Sequence, residues 1–255
     1  MGLPSVLCIG APRCGTTTLY QYLRSHPNIC VSRPKEPNYF TANYTRGINW
    51  YKECFTSDAN QGVDFSTSYS HYLNCPVVDR IIAALPRVRI IFLVRDPLDR
   101  LISNYQYNCV SLRYEHSFET AVYKDYLLVS SLYYFTLQRF LRRIPLNRML
   151  LLRTELLCRN PKAALKSLCA FLNVEPFNPR VLIHSNSIHE VSLDAGVSVP
   201  RIEVARPLLE RLWADLSYDW RKLQEITGVD IVDWENNPRW SQLGTRLQLP
   251  APLPL

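Results

Sequence analysis

The run Val6-Leu7-Cys8-Ile9 is continuously apolar and too short for a helix, so it reads as a strand buried on both faces. It breaks into Gly10-Ala11-Pro12-Arg13-Cys14-Gly15-Thr16-Thr17, and from Thr16 to Ser25 the residues Leu19, Tyr22 and Leu23 recur at helical spacing. Strand, glycine-bearing loop and helix, in that order, aim unpaired backbone amides and the positive end of the helix at one point in front of the loop. An anion belongs there. Gly10 and Gly15 let the backbone come close to it.

The rest of the chain supplies the sheet that such a strand needs. Ile29-Cys30-Val31 and Gly62-Val63-Asp64-Phe65 are candidate short strands, Arg89-Ile90-Ile91-Phe92-Leu93-Val94 is the strongest buried strand, and Met149-Leu150-Leu151-Leu152 is another. Helices are expected over Val77 to Ala84, Leu128 to Arg143, Pro161 to Leu172 and Pro207 to Thr227, the last ending at Gly228. Asp96 is placed to cap a further helix with Pro97 at its first position. Residues 33–60, with Pro34, Pro37 and many aromatics, read as loop-rich. Apolar strands alternating with helices predict an α/β fold, a P-loop-like parallel β-sheet flanked by helices on both faces. With no repeat and no internal linker, residues 1–248 are expected to form a single domain and the Pro-rich residues 249–255 a disordered tail.

Charge narrows the ligand. The net charge is +7, and 23 of the 29 basic residues are Arg, whose planar fork suits phosphate and sulfate. A basic balance by itself fits nucleic acid, a membrane or an anionic small ligand equally well; these residues are dispersed and no aromatic-basic recognition motif appears, so a nucleic-acid partner is not expected. The eight cysteines form no C-x-x-C pair, so neither a metal nor a disulfide framework is expected; Cys8 and Cys169 read as core thiols. The first residues carry no basic leader and no stretch is long and apolar enough to span a membrane, which predicts a soluble, cytoplasmic protein unless an anchor lies upstream. Oligomeric state stays open.

The loop has the G-x-x-x-x-G spacing of the nucleotide-triphosphatase P-loop, but there the second Gly is followed by Lys; here Gly15 is followed by Thr16, and the cation, Arg13, lies inside the loop. A nucleotide or small-molecule kinase on the same fold is the alternative that this missing Lys disfavours. Ile9 to Leu19 instead resembles the 5′-phosphosulfate loop of the sulfotransferases that use 3′-phosphoadenosine 5′-phosphosulfate (PAPS). The resemblance implies that Arg13, Cys14, Gly15, Thr16, Thr17 and Thr18 bind the 5′-phosphosulfate, with Arg13 where most members carry Lys. Ile91 to Pro97, then Arg100 and Ser103, resembles the family's 3′-phosphate segment and implies that Arg95 and Ser103, eight residues apart, bind that phosphate. Lys35-Glu36-Pro37-Asn38-Tyr39-Phe40 resembles the catalytic stretch of the heparan-sulfate and bacterial branches, whose Glu is the base; Glu36 is the matching residue. Leu208 to Trp234 resembles the closing helix, so the likeness runs from about residue 5 to 235.

The resemblance implies in-line transfer of a sulfuryl group from PAPS to the hydroxyl of a carbohydrate or small-molecule alcohol, releasing 3′,5′-ADP, without a metal. One departure stands out. Heparan-sulfate members carry Glu-Lys before Ser or Thr, whereas this chain has Asp64-Phe65-Ser66-Thr67 and lacks the second Lys; Arg13 alone, Lys35 or another Arg must serve. His71 and His116 are rival bases, since cytosolic members use His. Tyr39, Phe40, Tyr44, Trp50, Tyr51, Tyr69 and Tyr72 either wall an acceptor pocket or belong to the core.

Overall fold

The computed structural model describes residues 2–56, 59, 61–71, 75–125, 127–177, 192–194 and 196–246. The tail 249–255 and Tyr72 lie outside the described residues. The described residues group into two compact units, one lying within Met1–Arg95 and Thr136–Glu190, the other within Asp96–Phe135 and Val191–Leu255.

The first unit holds the sheet. Its strands are β1 (Val6–Gly10), β2 (Ile29–Val31), β3 (Gln61–Phe65), β4 (Arg89–Val94) and β5 (Met149–Arg153), in the order β2-β3-β1-β4-β5. Every pairing is parallel, as the unbroken apolar runs predict. Val6, Leu7, Cys8 and Ile9 have no exposed surface, because β1 is the central strand and helices flank the sheet. The chain leaves β1 for β2 and β3 on one side, then crosses to β4 and β5 on the other. In such sheets a ligand sits beyond the carboxyl ends of the strands, where the order reverses. That is the end of β1 that carries the glycine loop. The register between β1 and β4 shifts between Cys8 and Gly10, and Ala11 N–H donates to Leu93 O (2.8 Å), so the chain leaves the sheet there still tethered to β4.

The helices over Val77–Ala84 and Pro161–Leu172 have the expected bounds, and Thr16–Arg24 and Arg206–Thr227 differ from expectation by one residue at an end. Two expectations need correction. Residues 33–60 are less loop-like than their prolines suggest, because Gly47–Glu53 is helical; it buries only Tyr51, too little to leave a periodic signature. The helix expected from Leu128 begins at Tyr133 instead, after a short 3₁₀ turn over Val129–Ser131. Asp219 explains that start: its two oxygens accept Tyr134 N–H (3.0 Å) and Phe135 N–H (2.9 Å), a cap delivered from a distant helix.

In the second unit Asp96 does cap the helix Pro97–Leu112, accepting Asp99 N–H (2.9 Å), and its other oxygen accepts Asn237 Nδ2–H (2.9 Å). Trp213, Trp220 and Trp240 meet edge to face or tilted, with centroids 5.1–6.0 Å apart, and form the aromatic core of that unit. All eight cysteines are free thiols, and Cys8 and Cys169 are buried as expected. Among the described residues no helix is long and apolar enough to cross a membrane.

Burial lifts the Asp219 carboxyl from 3.8 to about 6, against the pull of the amides that it caps. A carboxyl raised on folding stabilises the fold below its unfolded value and loses that contribution as pH rises through the folded one. The gap corresponds to roughly 3 kcal/mol, about half of it between pH 5 and 7.5. The Tm advantage of wild type over Asp219→Asn should therefore shrink as pH rises from 5 to 7.5. A constant or growing advantage in calorimetric melts at the two pH values would remove Asp219 from this role.

Candidate active site

The loop after β1 has the backbone that an anion requires. Gly10 has φ 139°, and a Cβ there would lie 2.5 Å from Ser70 Oγ, so no other residue fits without displacing Ser70. Arg13 (φ 66°) and Gly15 (φ 84°) are both left-handed. For Arg13 this is an uncommon conformation for a residue with a side chain, held here by the loop. Gly15 is the N-cap of the helix Thr16–Arg24 and brings no side-chain cap to its first amides. Those amides have no acceptor inside the helix. Left-handed turns beside an uncapped helix start make a concave set of N–H donors, which fits a phosphate or sulfate group. Thr16 and Thr18 are buried and Thr17 is half-buried in the first turn.

Two residues fasten this loop to the sheet. Arg95, at the end of β4, donates through Nη1 to Arg13 O (3.4 Å). Thr154, the first residue after β5, sends its hydroxyl toward Cys14 O (2.7 Å) and Val94 O (3.1 Å) at once. Sequence reasoning missed Thr154, since a Thr between a strand and a helix reads as an ordinary cap. Ser103 lies in the helix Pro97–Leu112 of the second unit, with Arg100 on the same helix buried and donating to Leu127 O (3.1 Å) and Ser131 Oγ (2.9 Å).

Glu36 lies in the loop after β2, partly exposed. Its Oε1 accepts Lys35 Nζ–H (3.0 Å) and its Oε2 accepts Thr67 Oγ1–H (3.0 Å). Thr67 is the link to the anion loop, because its carbonyl oxygen is 3.5 Å from the point a Gly10 Cβ would occupy. A carboxylate and the anion cradle therefore share a neighbour within one unit. Lys35 is committed to Glu36 by that ion pair. Of the rival bases, His71 ends the short helix Ser68–His71, with Nδ1 3.1 Å from Thr67 O; a carbonyl only accepts, so Nδ1 carries the proton. His116, in the second unit, is paired through Nδ1 with Asp125 Oδ2 (3.0 Å).

The aromatic set divides in two. Tyr39, Phe40, Tyr51 and Tyr69 are core: Tyr39 stacks on Tyr51 at 4.4 Å, and Phe40 meets both Tyr51 and Tyr69 edge-on. Tyr44 and Trp50 stay at the surface, each under a guanidinium, Arg80 and Arg46 respectively, 4.1 Å from the ring centroid. The aligned position of the missing Lys, Phe65, is buried in β3 and packs edge-on against Tyr20 at 5.4 Å.

The sulfotransferase domain family matches residues 3–190, and the chain belongs to that family. It is 31% identical over 198 residues to the human bifunctional heparan sulfate N-deacetylase/N-sulfotransferase 2, a match covering 69% of this chain and 22% of that protein. It is 28% identical over 183 residues to the mouse heparan sulfate glucosamine 3-O-sulfotransferase 3B1, covering 68% of this chain and 47% of the relative. The chain thus spans less than half the length of these relatives. A sulfotransferase structure from Alicyclobacillus acidocaldarius has the same fold, with TM-score 0.68 and 23% identity over 92% of this chain and 100% of that one.

Proposed function

We propose that this chain transfers a sulfuryl group from PAPS to an acceptor hydroxyl on a carbohydrate or small-molecule alcohol, releasing 3′,5′-ADP. The observation that carries the reading is the placement of Thr67 between the Glu36 carboxylate and the Gly10 end of the anion loop. Relatives named for heparan sulfate sulfation support a carbohydrate acceptor. PAPS would supply the sulfuryl group and a 5′-phosphate leaving group. Arg13, the Gly15–Thr18 amides and the threonine hydroxyls would hold that phosphosulfate, and Arg95 with Ser103 would take the 3′-phosphate, an assignment that rests on the segment's resemblance to the family. Glu36 would accept the acceptor's proton as its oxygen attacks sulfur, since an alcohol is a poor nucleophile at neutral pH. The S–O bond to the phosphate breaks in line, and Arg13 with the loop amides meets the charge that grows on the leaving oxygen.

Donor choice tests the reading. In thermal-shift measurements 3′,5′-ADP should stabilise the protein, whereas ATP with magnesium and oligonucleotides should not, because only a ligand of the native state raises its stability. PAPS should be used in preference to adenosine 5′-phosphosulfate by at least about tenfold in kcat/KM, the cost of leaving a polar phosphate site unfilled. Arg95→Ala together with Ser103→Ala should erase most of that preference. Equal use of both donors by wild type would overturn the 3′-phosphate assignment, and stabilisation by ATP with magnesium instead of 3′,5′-ADP would favour a kinase.

A further inference from the structure

Asp64, at the end of β3, is fully buried, and its partners are three hydroxyls. Oδ1 accepts Ser66 Oγ–H (2.6 Å), while Oδ2 accepts Tyr51 OH (2.6 Å) and Tyr69 OH (2.8 Å). Two of these hydroxyls face the Glu36 loop with their other side. Ser66 Oγ accepts Asn38 N–H (2.9 Å), and Tyr69 OH accepts Phe40 N–H (3.4 Å). An ionised carboxylate has no proton to give, so each hydroxyl must point its own hydrogen at Asp64 and turn a lone pair to the loop. Asn38 is left-handed at φ 49°, a conformation that Asn tolerates better than most residues, and the loop turns there with its amide on Ser66 Oγ.

We propose that Asp64 is a positioning residue for Glu36: its carboxylate fixes the direction of the Ser66 and Tyr69 hydroxyls, and these pin the Asn38 and Phe40 amides of the loop that carries the base. Neighbouring contacts complete the comb. Ser68 Oγ donates to Asn38 Oδ1 (2.7 Å), and Thr67 holds Glu36 itself, so segment 64–69 meets the loop through Ser66, Thr67, Ser68 and Tyr69. Protonation of Asp64 would place a donor among donors and free a hydroxyl to turn. Burial raises this carboxyl to about 6, so the change falls within reach of ordinary assays. Titratable groups around it include Tyr51, Tyr69, Glu36, Cys8 and Cys54, and His71 bonds Thr67 O further along the same segment. Burial pushes both tyrosines well above 10, Cys8 to about 12 and Cys54 to about 11, so none of these four changes charge near pH 6. The Glu36 carboxylate adds to the rise at Asp64.

The test needs no acceptor. In ¹⁵N-labelled protein the Asn38 and Phe40 amide resonances should shift together between pH 5 and 7.5 in wild type. Tyr69→Phe should release Phe40 alone and Ser66→Ala should release Asn38 alone, which keeps the proposal decidable if Asp64→Asn does not fold. Amides that do not move with pH, or that respond alike to both single substitutions, would overturn it. The catalytic consequence rests on the sulfotransferase reading and is measured separately, with PAPS and O-desulfated heparan oligosaccharide, which offers free hydroxyls. Each substitution should lower kcat roughly tenfold, with 3′,5′-ADP Kd unchanged within a few-fold, as expected for a displaced catalytic group. Absence of any transfer by wild type would count against that reading and leave the amide result standing.

Discussion

Glu36→Gln is expected to lower turnover by about 10²- to 10⁴-fold while leaving 3′,5′-ADP affinity within a few-fold, the cost of losing a positioned base. Gln keeps the length of the side chain and one carbonyl oxygen, so it can still accept from Thr67 Oγ1, which lies 3.0 Å from Glu36 Oε2 in the native protein. What it cannot do is take a proton. The Lys35 ammonium, 3.0 Å from Oε1, then loses its ion-pair partner. That pair is a quarter to a third exposed, so its loss costs little stability, and the melting temperature should scarcely move. Activity and stability therefore separate in this variant, and steady-state kinetics beside a melt and a titration with 3′,5′-ADP reads all three. Retention of more than half the wild-type rate would remove Glu36 from the role and pass it to His71, the other candidate base in the same unit.

The fold was legible in this sequence because its strands are buried on both faces. Runs such as Val6 to Ile9 and Arg89 to Val94 have no alternation to misread, and the parallel sheet follows from them. The conformation of the glycine loop was legible for a related reason: φ values of 139° at Gly10 and 84° at Gly15 demand the residue type that the sequence displays. What could not be read is side-chain direction across long separations. Asp64 looked like the first residue of a degraded motif, yet it organises Tyr51, Ser66 and Tyr69 from a fully buried position. Thr154 reaches the loop from 140 residues away, and Asp219 decides where the helix at Tyr133 begins. None of these contacts leaves a periodic or local signal, because each depends on where the sheet and the helices bring distant chain segments. The aromatic set shows the same limit: composition marks Tyr39 and Tyr44 alike, but only packing separates the buried ring from the exposed one.

Arg13 allows a comparison that holds the backbone constant. Its φ of 66° penalises Ala and Lys much as it does Arg, so the two substitutions carry the same local strain and differ in the cation. Its carbonyl, which accepts from Arg95 Nη1 at 3.4 Å, is retained in both. Arg13→Ala should lose on the order of 10²-fold or more in kcat and less in PAPS affinity, because charge on the leaving oxygen grows toward the transition state and is only partial in the bound donor. Arg13→Lys should keep most of the rate. Lys offers a compact charge in place of the fork, and unlike Arg it can also give up a proton to the departing phosphate. On the proposed reading the cation at position 13 meets most of the charge on the leaving oxygen, because Lys35 is paired to Glu36, while Thr154 and Arg95 hold the loop through its Cys14 and Arg13 carbonyls. Single-turnover rates with PAPS, set beside 3′,5′-ADP binding, separate the two effects. If Arg13→Lys is as inactive as Arg13→Ala, the guanidinium fork itself is required and a point charge at the leaving oxygen does not suffice. If both keep the wild-type rate, charge stabilisation comes from the helix start and its amides, and Arg13 serves only to shape the loop.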